Sequence, residues 1–230
     1  MNNNDILKKE RENTGTAWTY NDEFERNGFL VLKKLCDPDK LHRKYTGDTG
    51  TYTWWGKGDK EYSFKEEDPQ VKGSLSHYWH PQYRKIHTDI RFKLENIIGR
   101  KLYNTYYFDR TYHSGNELKK HVDRDACEIS VSVHISSNVS EPWKFHIKTP
   151  DTYNNRKKGE ILIKGEECQV DLAPGDGLLY KGCERPHWRE SLPSNYKRLR
   201  SPDDTYYHQV FFHYVLQDGE RAQCAWDRAR

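Results

Sequence analysis

A series of short β-rich segments separated by turns, between residues 101 and 216, constrains the fold of this chain more than any other feature. Turn sequences such as SGN, SSN, TPDTYNN and APGD separate these segments. A series of this kind predicts a β-sandwich or a jelly roll. The segments are KLYNTYYFDRTYH (101–113), EISVSVHI (128–135), PWKFHIK (142–148), EILIKGEECQVDL (160–172), GLLYK (177–181), PHWRE (186–190) and YYHQVFFHYVL (206–216).

The first hundred residues predict a smaller, partly helical region ahead of these strands. GFLVLKKL (28–35) has the pattern of a short strand, and apolar residues three and four apart predict one long helix over 81–99. Residues 46–80 show neither the helical nor the strand spacing of apolar residues, which predicts long surface loops. We therefore expect a polar segment at 1–18, then a single domain at 19–230 with a helical annex to about residue 100 and a β core at 101–216.

Composition excludes several classes of partner. The net charge is only +3, with Lys and Arg interspersed among Asp and Glu, so no nucleic-acid partner is expected. No apolar run approaches the roughly 18 residues of a membrane span. The 5 cysteines form no CxxC pair, and the polar N-terminus does not resemble a signal peptide. We expect a cytoplasmic protein without a membrane partner, acting on a small molecule or a peptide; its oligomeric state stays open.

The most informative short motif is HVDRD at 121–125. His121 and Asp123 fall where the chain has turned to β-structure, and residues two apart in a strand project to the same face. An imidazole and a carboxylate are two of the three ligands in the facial triad of non-haem Fe(II) oxygenases. A second His-x-Asp pair, His87 and Asp89, lies in the predicted helix, where residues two apart point in different directions.

The third ligand has to come from another strand, and His187 is the strongest candidate. It follows an apolar strand, a tight Pro-Gly-Asp turn and a second strand that brings the chain back. The rival histidines lie in the middle of predicted strands, where a wall or core role is the more common one. They are His134, His146, His208 and His213.

Four motifs together resemble the prolyl 4-hydroxylase-like branch of the Fe(II)/2-oxoglutarate dioxygenases. The resemblance extends over roughly residues 25–216, and implies a mainly β (α+β) protein: a double-stranded β-helix, or jelly roll, with N-terminal packing helices. The motifs are H-x-D (121–123), V-D-L-A-P-G-D-G-L-L-Y-K-G (170–182), H-W-R-E (187–190) and Q-V-F-F-H-Y-V (209–215).

The same resemblance implies the cofactors and the metal ligands. Fe(II) would be held by His121, Asp123 and His187, and 2-oxoglutarate would chelate it through its 1-carboxylate and keto oxygen. O₂ would be the second cosubstrate, with ascorbate as a candidate reductant. The implied activity is hydroxylation of a C–H bond in an amino-acid, peptidyl or small-molecule substrate, with release of succinate and CO₂. The alternative is a non-catalytic cupin-like module that binds a ligand or a metal.

One feature departs from the family pattern. A Lys or Arg about ten residues after the distal histidine normally pairs with the 5-carboxylate of 2-oxoglutarate, and that offset falls on Lys197 or Arg198, in a polar loop. We expect Arg189 instead, because it shares the inward face of its strand with His187 and can grip a carboxylate with two parallel hydrogen bonds.

Further cofactor-binding candidates lie on neighbouring predicted strands. Gln209 and His213 have the same strand parity and can both point inward from the last strand. Tyr106 or Tyr112, on the strand before the His-x-Asp motif, can donate a hydroxyl to the cosubstrate. Aromatic residues at strand spacing are more often part of a core.

Overall fold

Ten of the twelve strands in the described residues form two sheets that pack face to face. Leu178 and Tyr180 of one sheet share an apolar cluster with Phe145 and Ile147 of the other. The predicted segment at 1–18 and most of the predicted loop region lie outside the described residues. The computed structural model describes residues 20–41, 68, 70–79, 81–156, 159–194 and 205–226.

The chain winds back and forth between a six-stranded and a four-stranded antiparallel sheet. The larger has the order β1-β10-β5-β12-β3-β2, the smaller β4-β11-β6-β9, and β7 pairs with β8 in a separate hairpin. This winding is a jelly roll, as the sequence predicted. The strands are β1 (Phe29–Leu32), β2 (Leu75–Tyr78), β3 (Leu102–His113), β4 (Leu118–His121), β5 (Ile129–Ser137), β6 (Phe145–Lys148), β7 (Thr152–Arg156), β8 (Gly159–Ile163), β9 (Glu167–Val170), β10 (Gly177–Tyr180), β11 (His187–Arg189) and β12 (Tyr206–Leu216).

Two helices, α1 (Tyr20–Asn27) and α2 (Pro81–Ile98), cover the outer face of the larger sheet. Along β12, Val210 and Phe212 join the core beneath these helices, whereas Phe211 and His213 line a cavity on the opposite, inner face. Because side chains alternate between the two faces of a strand, one face of β12 packs against the helices and the other faces the smaller sheet. Short 3₁₀ turns occur at Pro38–Lys40, Asp125–Cys127 and Ala222–Cys224.

Most predicted elements agree with the structure, with some corrections. The helix predicted over 81–99 ends at Ile98, where Gly99 has a φ of 69°, a left-handed conformation that terminates a helix. Helix α1 was not predicted. The loop prediction was wrong for Leu75–Tyr78, which pairs along the free edge of β3, and 160–172 divides into β8 and β9. No helix in the described ranges is long and apolar enough to cross a membrane.

Candidate metal centre

The two sequence-predicted histidines face each other across neighbouring strands of the smaller sheet. His121, the last residue of β4, is the register partner of His187 on β11, and the ring centroids lie 4.3 Å apart. Asp123 follows β4 rather than lying on it. Its Oδ1 is 3.4 Å from His121 Nε2 and 3.5 Å from His187 Nε2. The structure thus brings the three predicted residues together, with one ligand atom of each within 4.8 Å of the others.

Backbone carbonyls fix the orientation of both imidazoles. His121 Nδ1 lies 2.7 Å from the carbonyl oxygen of Lys119, and His187 Nδ1 lies 2.9 Å from that of Arg185. Because a carbonyl oxygen only accepts, each Nδ1 donates to its carbonyl, which leaves each Nε2 as the ring nitrogen beside Asp123. Two imidazole nitrogens and one carboxylate oxygen form the donor set of a facial Fe(II) site.

The side chain of Asp123 occupies space that a residue larger than glycine at position 182 would fill. The backbone N–H of Asp123 donates to Gly182 O at 2.9 Å, and Ser130 Oγ donates to Asp123 Oδ2 at 3.2 Å. A Cβ atom at Gly182 would come within 2.5 Å of Asp123 Oδ2 and would also strike the Cys127 carbonyl. Sequence reasoning missed this role, because the contact joins distant segments and leaves no local signal.

The carboxylate of Asp123 is ionised at neutral pH. Burial alone raises its pKa, but the imidazoles of His121 and His187 beside it outweigh burial and hold the pKa well below its ordinary value. Asp123 is therefore an acceptor with no proton to lose before it binds a cation.

A cavity of about 290 Å³ opens beside these three residues. One wall is a set of stacked rings: Tyr78 lies 4.8 Å from Phe108, and Phe108 lies 4.5 Å from Phe211, with interplanar angles of 14° and 15°. Tyr78 is also the most exposed of these rings, so the stack runs from the surface inward. The volume suits a small molecule or a single side chain.

Gln70 connects the cavity wall to the histidine pair. Its Nε2 donates to His121 Nε2 at 3.0 Å, and its Oε1 accepts from Arg110 Nη2 at 2.9 Å. The amide therefore occupies the lone pair of His121 that a metal ion would use, and a bound ion would displace it. Gln70 lies in the region predicted to form loops and was not singled out from the sequence.

Arg110 forms a closed ion pair at the edge of the cavity. Its Nε and Nη2 donate to Asp68 Oδ2 at 3.2 and 2.9 Å, and its Nη1 donates to Tyr112 OH at 3.2 Å. Burial raises the pKa of Asp68, but Arg110 and a hydrogen bond from Ser76 lower it below its ordinary value. Asp68 lies in the predicted loop region too, and the sequence did not reveal this pair.

Arg189 is as deeply buried as Arg110 but has only neutral partners. Its Nη2 donates to Gln209 Oε1 at 3.0 Å and to Tyr207 OH at 3.3 Å, and its Nη1 donates to the carbonyl of Trp143. No carboxylate of the described residues forms an ion pair with it, and its Nε is buried without a partner there. An uncompensated buried guanidinium is costly, so this position favours an anion.

Other buried polar atoms without partners among the described residues lie on β5 and β12, the strands that carry His134 and Gln209. Gln209 Nε2, His134 Nε2 and Ser132 Oγ are all buried and lack a hydrogen bond within the described segments. His134 is the register partner of Gln209, which already contacts Arg189. Buried polar atoms normally find partners, so the group indicates a place for a polar ligand between the sheets.

The remaining predicted cofactor residues lie closer to Asp123. Tyr106 and His213 line the cavity with ring centroids 4.6 Å apart, and the Tyr106 hydroxyl lies 3.1 Å from Cys127 Sγ. Tyr112 is instead committed to Arg110. Lys197 and Arg198 lie outside the described residues.

The rival histidines take no part in the His121, Asp123 and His187 group. His208 pairs with Asp109 at 2.7 Å, and His146 stacks on Trp188 with centroids 5.1 Å apart. His134 Nδ1 bonds the carbonyl of Leu172 at 2.7 Å. Of these four, only His213 comes near Asp123: its Nδ1 lies 2.9 Å from the Ser130 hydroxyl, which donates to Asp123 Oδ2.

No known family profile matches the chain, and no curated protein sequence does. Solved structures do match. A 2OG-Fe(II) oxygenase family oxidoreductase from Burkholderia pseudomallei shares 10% identity, covering 92% of this chain and 93% of its own, with a TM-score of 0.53. HygX from Streptomyces hygroscopicus, with nickel and 2-oxoglutarate bound, shares 11% identity over 84% of each chain, with a TM-score of 0.53.

A third match is a prolyl hydroxylase from Trichoplax adhaerens, in complex with a peptide fragment of the hypoxia inducible factor oxygen degradation domain. It shares 12% identity over 97% of each chain, with a TM-score of 0.54. At such identities the likeness is one of fold. The chain is therefore built on the jelly-roll fold of the 2-oxoglutarate and Fe(II) oxygenases, prolyl hydroxylases among them.

Proposed function

We propose that this protein is an Fe(II)- and 2-oxoglutarate-dependent dioxygenase that hydroxylates a C–H bond of an amino-acid, peptidyl or small-molecule substrate, with release of succinate and CO₂. One observation carries the proposal: the Nε2 atoms of His121 and His187 converge on one oxygen of Asp123, beside a cavity. HygX, which has the same fold, contains nickel and 2-oxoglutarate, and this supports the assignment.

The chain's own residues fit such a metal. His121, Asp123 and His187 would hold Fe(II) on one face and leave its other positions toward the cavity. Asp123, already ionised, would neutralise part of the ion's charge, and the carbonyls of Lys119 and Arg185 would hold both imidazoles with Nε2 as the ligand atom. When bound, Fe(II) with 2-oxoglutarate and O₂ supplies the oxidising chemistry; ascorbate would serve as a reductant.

Arg189 would bind the distal carboxylate of 2-oxoglutarate. It lies two residues beyond His187 on β11, about 6–7 Å along the strand, a span comparable with a five-carbon diacid. Gln209, already hydrogen-bonded to Arg189, has an amide N–H with no partner among the described residues and would donate it to the same carboxylate. Tyr106 and His213 line the cavity next to Asp123 and would confine the other end of the cosubstrate.

The stacked rings would position the substrate. Tyr78, Phe108 and Phe211 present flat apolar surface beside the proposed metal ligands, which suits a compact side chain or a small molecule. Among the matched structures, the Trichoplax hydroxylase binds a peptide and HygX binds hygromycin B, so both substrate classes are compatible with this fold. We propose no nucleic-acid partner, and the 5 free cysteines are consistent with a reducing cytoplasm.

Turnover and metal content test the proposal together. Purified protein with Fe(II) and ascorbate should convert 2-oxoglutarate to succinate, measured by NMR, and His187→Ala should lower both iron content and turnover by roughly 100-fold or more. His146→Ala is the matched control, because His146 stacks on Trp188 outside the proposed site. Iron binding without any turnover, or equal iron content in both variants, would favour the cupin-like binding module.

A further inference from the structure

We propose that Asp123, Cys127 and His213 form a second metal site, one that takes Zn²⁺. One ligand atom from each residue lies within 4.8 Å of the others. The site shares Asp123 with the proposed iron centre but uses a thiol and a different histidine. The zinc proposal does not rest on the proposed dioxygenase function, since Cys127 and His213 lie outside the His121, Asp123 and His187 group, but the two sites would compete for Asp123.

The two oxygens of Asp123 face in different directions. Oδ1 lies beside the Nε2 atoms of His121 and His187. Oδ2 accepts from Ser130 Oγ at 3.2 Å, and the same hydroxyl lies 2.9 Å from His213 Nδ1. His213 therefore lies on the Oδ2 side, so that each carboxylate oxygen serves a separate group of candidate ligands.

The second group contains an imidazole nitrogen that has no partner. His213 is only 2% exposed, and its Nε2 forms no hydrogen bond within the described part of the chain. A buried, unpartnered ring nitrogen is destabilising unless it binds something. Cys127 is also buried. It is the last residue of the short 3₁₀ turn that follows Asp123, and its Sγ contacts the Tyr106 hydroxyl.

The donor set favours zinc over iron. One thiolate, one imidazole and one carboxylate are ligands of Zn²⁺, and three protein ligands leave a fourth position for a water molecule or another small ligand. Cys127 and His213 both line the cavity, which supplies space for that fourth position. Two divalent ions that share one carboxylate repel each other, so Zn²⁺ in this site should weaken metal binding by His121 and His187.

Cobalt(II) absorbance tests the site in the full-length protein, because only a thiolate ligand produces a near-ultraviolet sulfur-to-cobalt charge-transfer band. Wild-type protein should show the band on titration with Co²⁺, and Zn²⁺ should abolish it by displacement. Cys127→Ser should lack the band. Cys183→Ser is the matched control, because the Cys183 thiol donates to the Arg124 carbonyl and lies outside the group.

Absence of the band from wild-type protein would overturn the proposal, whether or not any variant folds. Persistence of the band in Cys127→Ser, with circular dichroism matching wild type, would overturn it as well. His187→Ala separates the two proposed sites: it should keep the thiolate band while losing 2-oxoglutarate turnover. A wild-type protein with turnover but no band would leave the dioxygenase assignment intact and remove the zinc site alone.

Discussion

Arg110 and Arg189 occupy comparable positions in the two sheets, yet their surroundings differ in one decisive respect. Arg110 lies on β3 of the larger sheet and Arg189 on β11 of the smaller one, with exposures of 2% and 1%. Asp68 neutralises Arg110 at 2.9 Å. Arg189 meets only hydroxyl, amide and carbonyl oxygens among the described residues. The first arginine is therefore part of the fold, and the second is available for an anion from outside.

Aromatic rings offset part of the cost of burying the second charge. The Arg189 guanidinium lies 4.5 Å from the ring centroid of Trp143 and 4.7 Å from that of Tyr207. Such cation–π contacts contribute about 0.5–2 kcal/mol. This is less than the cost of removing a charged group from water, which is several kcal/mol for a buried ion. A buried cation that binds a ligand is therefore recognised by the lack of a counter-charge in the fold, which burial alone does not reveal.

The largest expected effect comes from removing the paired arginine. Arg110→Leu should lower the free energy of unfolding by about 3–5 kcal/mol, because it leaves Asp68 buried and unpaired. Urea denaturation measures the change, and the double variant Asp68→Leu/Arg110→Leu should recover part of it. A loss no greater than that of Arg189→Leu would remove the distinction between the two arginines.

Arg189→Leu should leave stability intact and weaken the binding of 2-oxoglutarate. Without 2-oxoglutarate its free energy of unfolding should equal or exceed that of wild type, because the substitution removes an uncompensated charge. Loss of a charge-assisted hydrogen-bonded contact worth about 1.5–3 kcal/mol should raise the KM for 2-oxoglutarate roughly 10–100-fold.

Ligand-induced stabilisation supplies the control for this variant. At 100 times its Kd, 2-oxoglutarate should stabilise metal-loaded wild type by about 2.7 kcal/mol, and much less at the same concentration in Arg189→Leu. Arg189→Lys should recover part of the affinity, since it restores the charge without the planar fork. An unchanged KM in Arg189→Leu would mean that another residue binds the distal carboxylate of 2-oxoglutarate.

Gln209→Glu should convert the Arg189 environment into a copy of the Arg110 environment. The new carboxylate would take the position of Gln209 Oε1, 3.0 Å from the guanidinium, and would compete with 2-oxoglutarate. We expect the KM for 2-oxoglutarate to rise about 10-fold, the effect of losing roughly 1.4 kcal/mol. Steady-state kinetics measures the change, and an unaltered KM would mean that Gln209 does not share the cosubstrate with Arg189.

The smallest expected effect is a difference in acid stability. Asp68 has a lowered pKa, so its pairing stabilises the fold fully above about pH 4, its unfolded value, and this contribution is lost as pH falls through the lower folded value. Asp68→Asn should flatten this part of the stability curve, measured by urea denaturation at a series of pH values. Arg189→Leu should keep the wild-type slope there, and parallel curves for Asp68→Asn and wild type would contradict the Asp68 pairing.

Much of the architecture could be predicted from the sequence because its signals are local. β-rich composition between turn sequences predicted β3, β5 and β12, and three-and-four spacing predicted α2 almost to its last residue. The edge strand β2 was missed, because four residues carry too little pattern and the strand forms only along the free edge of β3.

The His-x-Asp motif and His187 likewise singled out the candidate metal ligands before any coordinates. The sequence left His187 among several rivals, however, and placed Asp123 on a strand that ends at His121. Gly182 and Gln70, which shape the surroundings of these ligands, gave no signal, since each acts through a contact with a residue far away in the chain.

Local patterns along the chain were enough to predict a jelly-roll series of strands, one long helix and a small set of candidate ligands, because side-chain period and turn chemistry act over a few neighbouring residues. The three-dimensional fold was needed to show that His121 pairs with His187, that Arg110 has Asp68 for a partner and that Arg189 forms no ion pair among the described residues. Those outcomes depend on strand register and on contacts between distant segments, which no local pattern specifies.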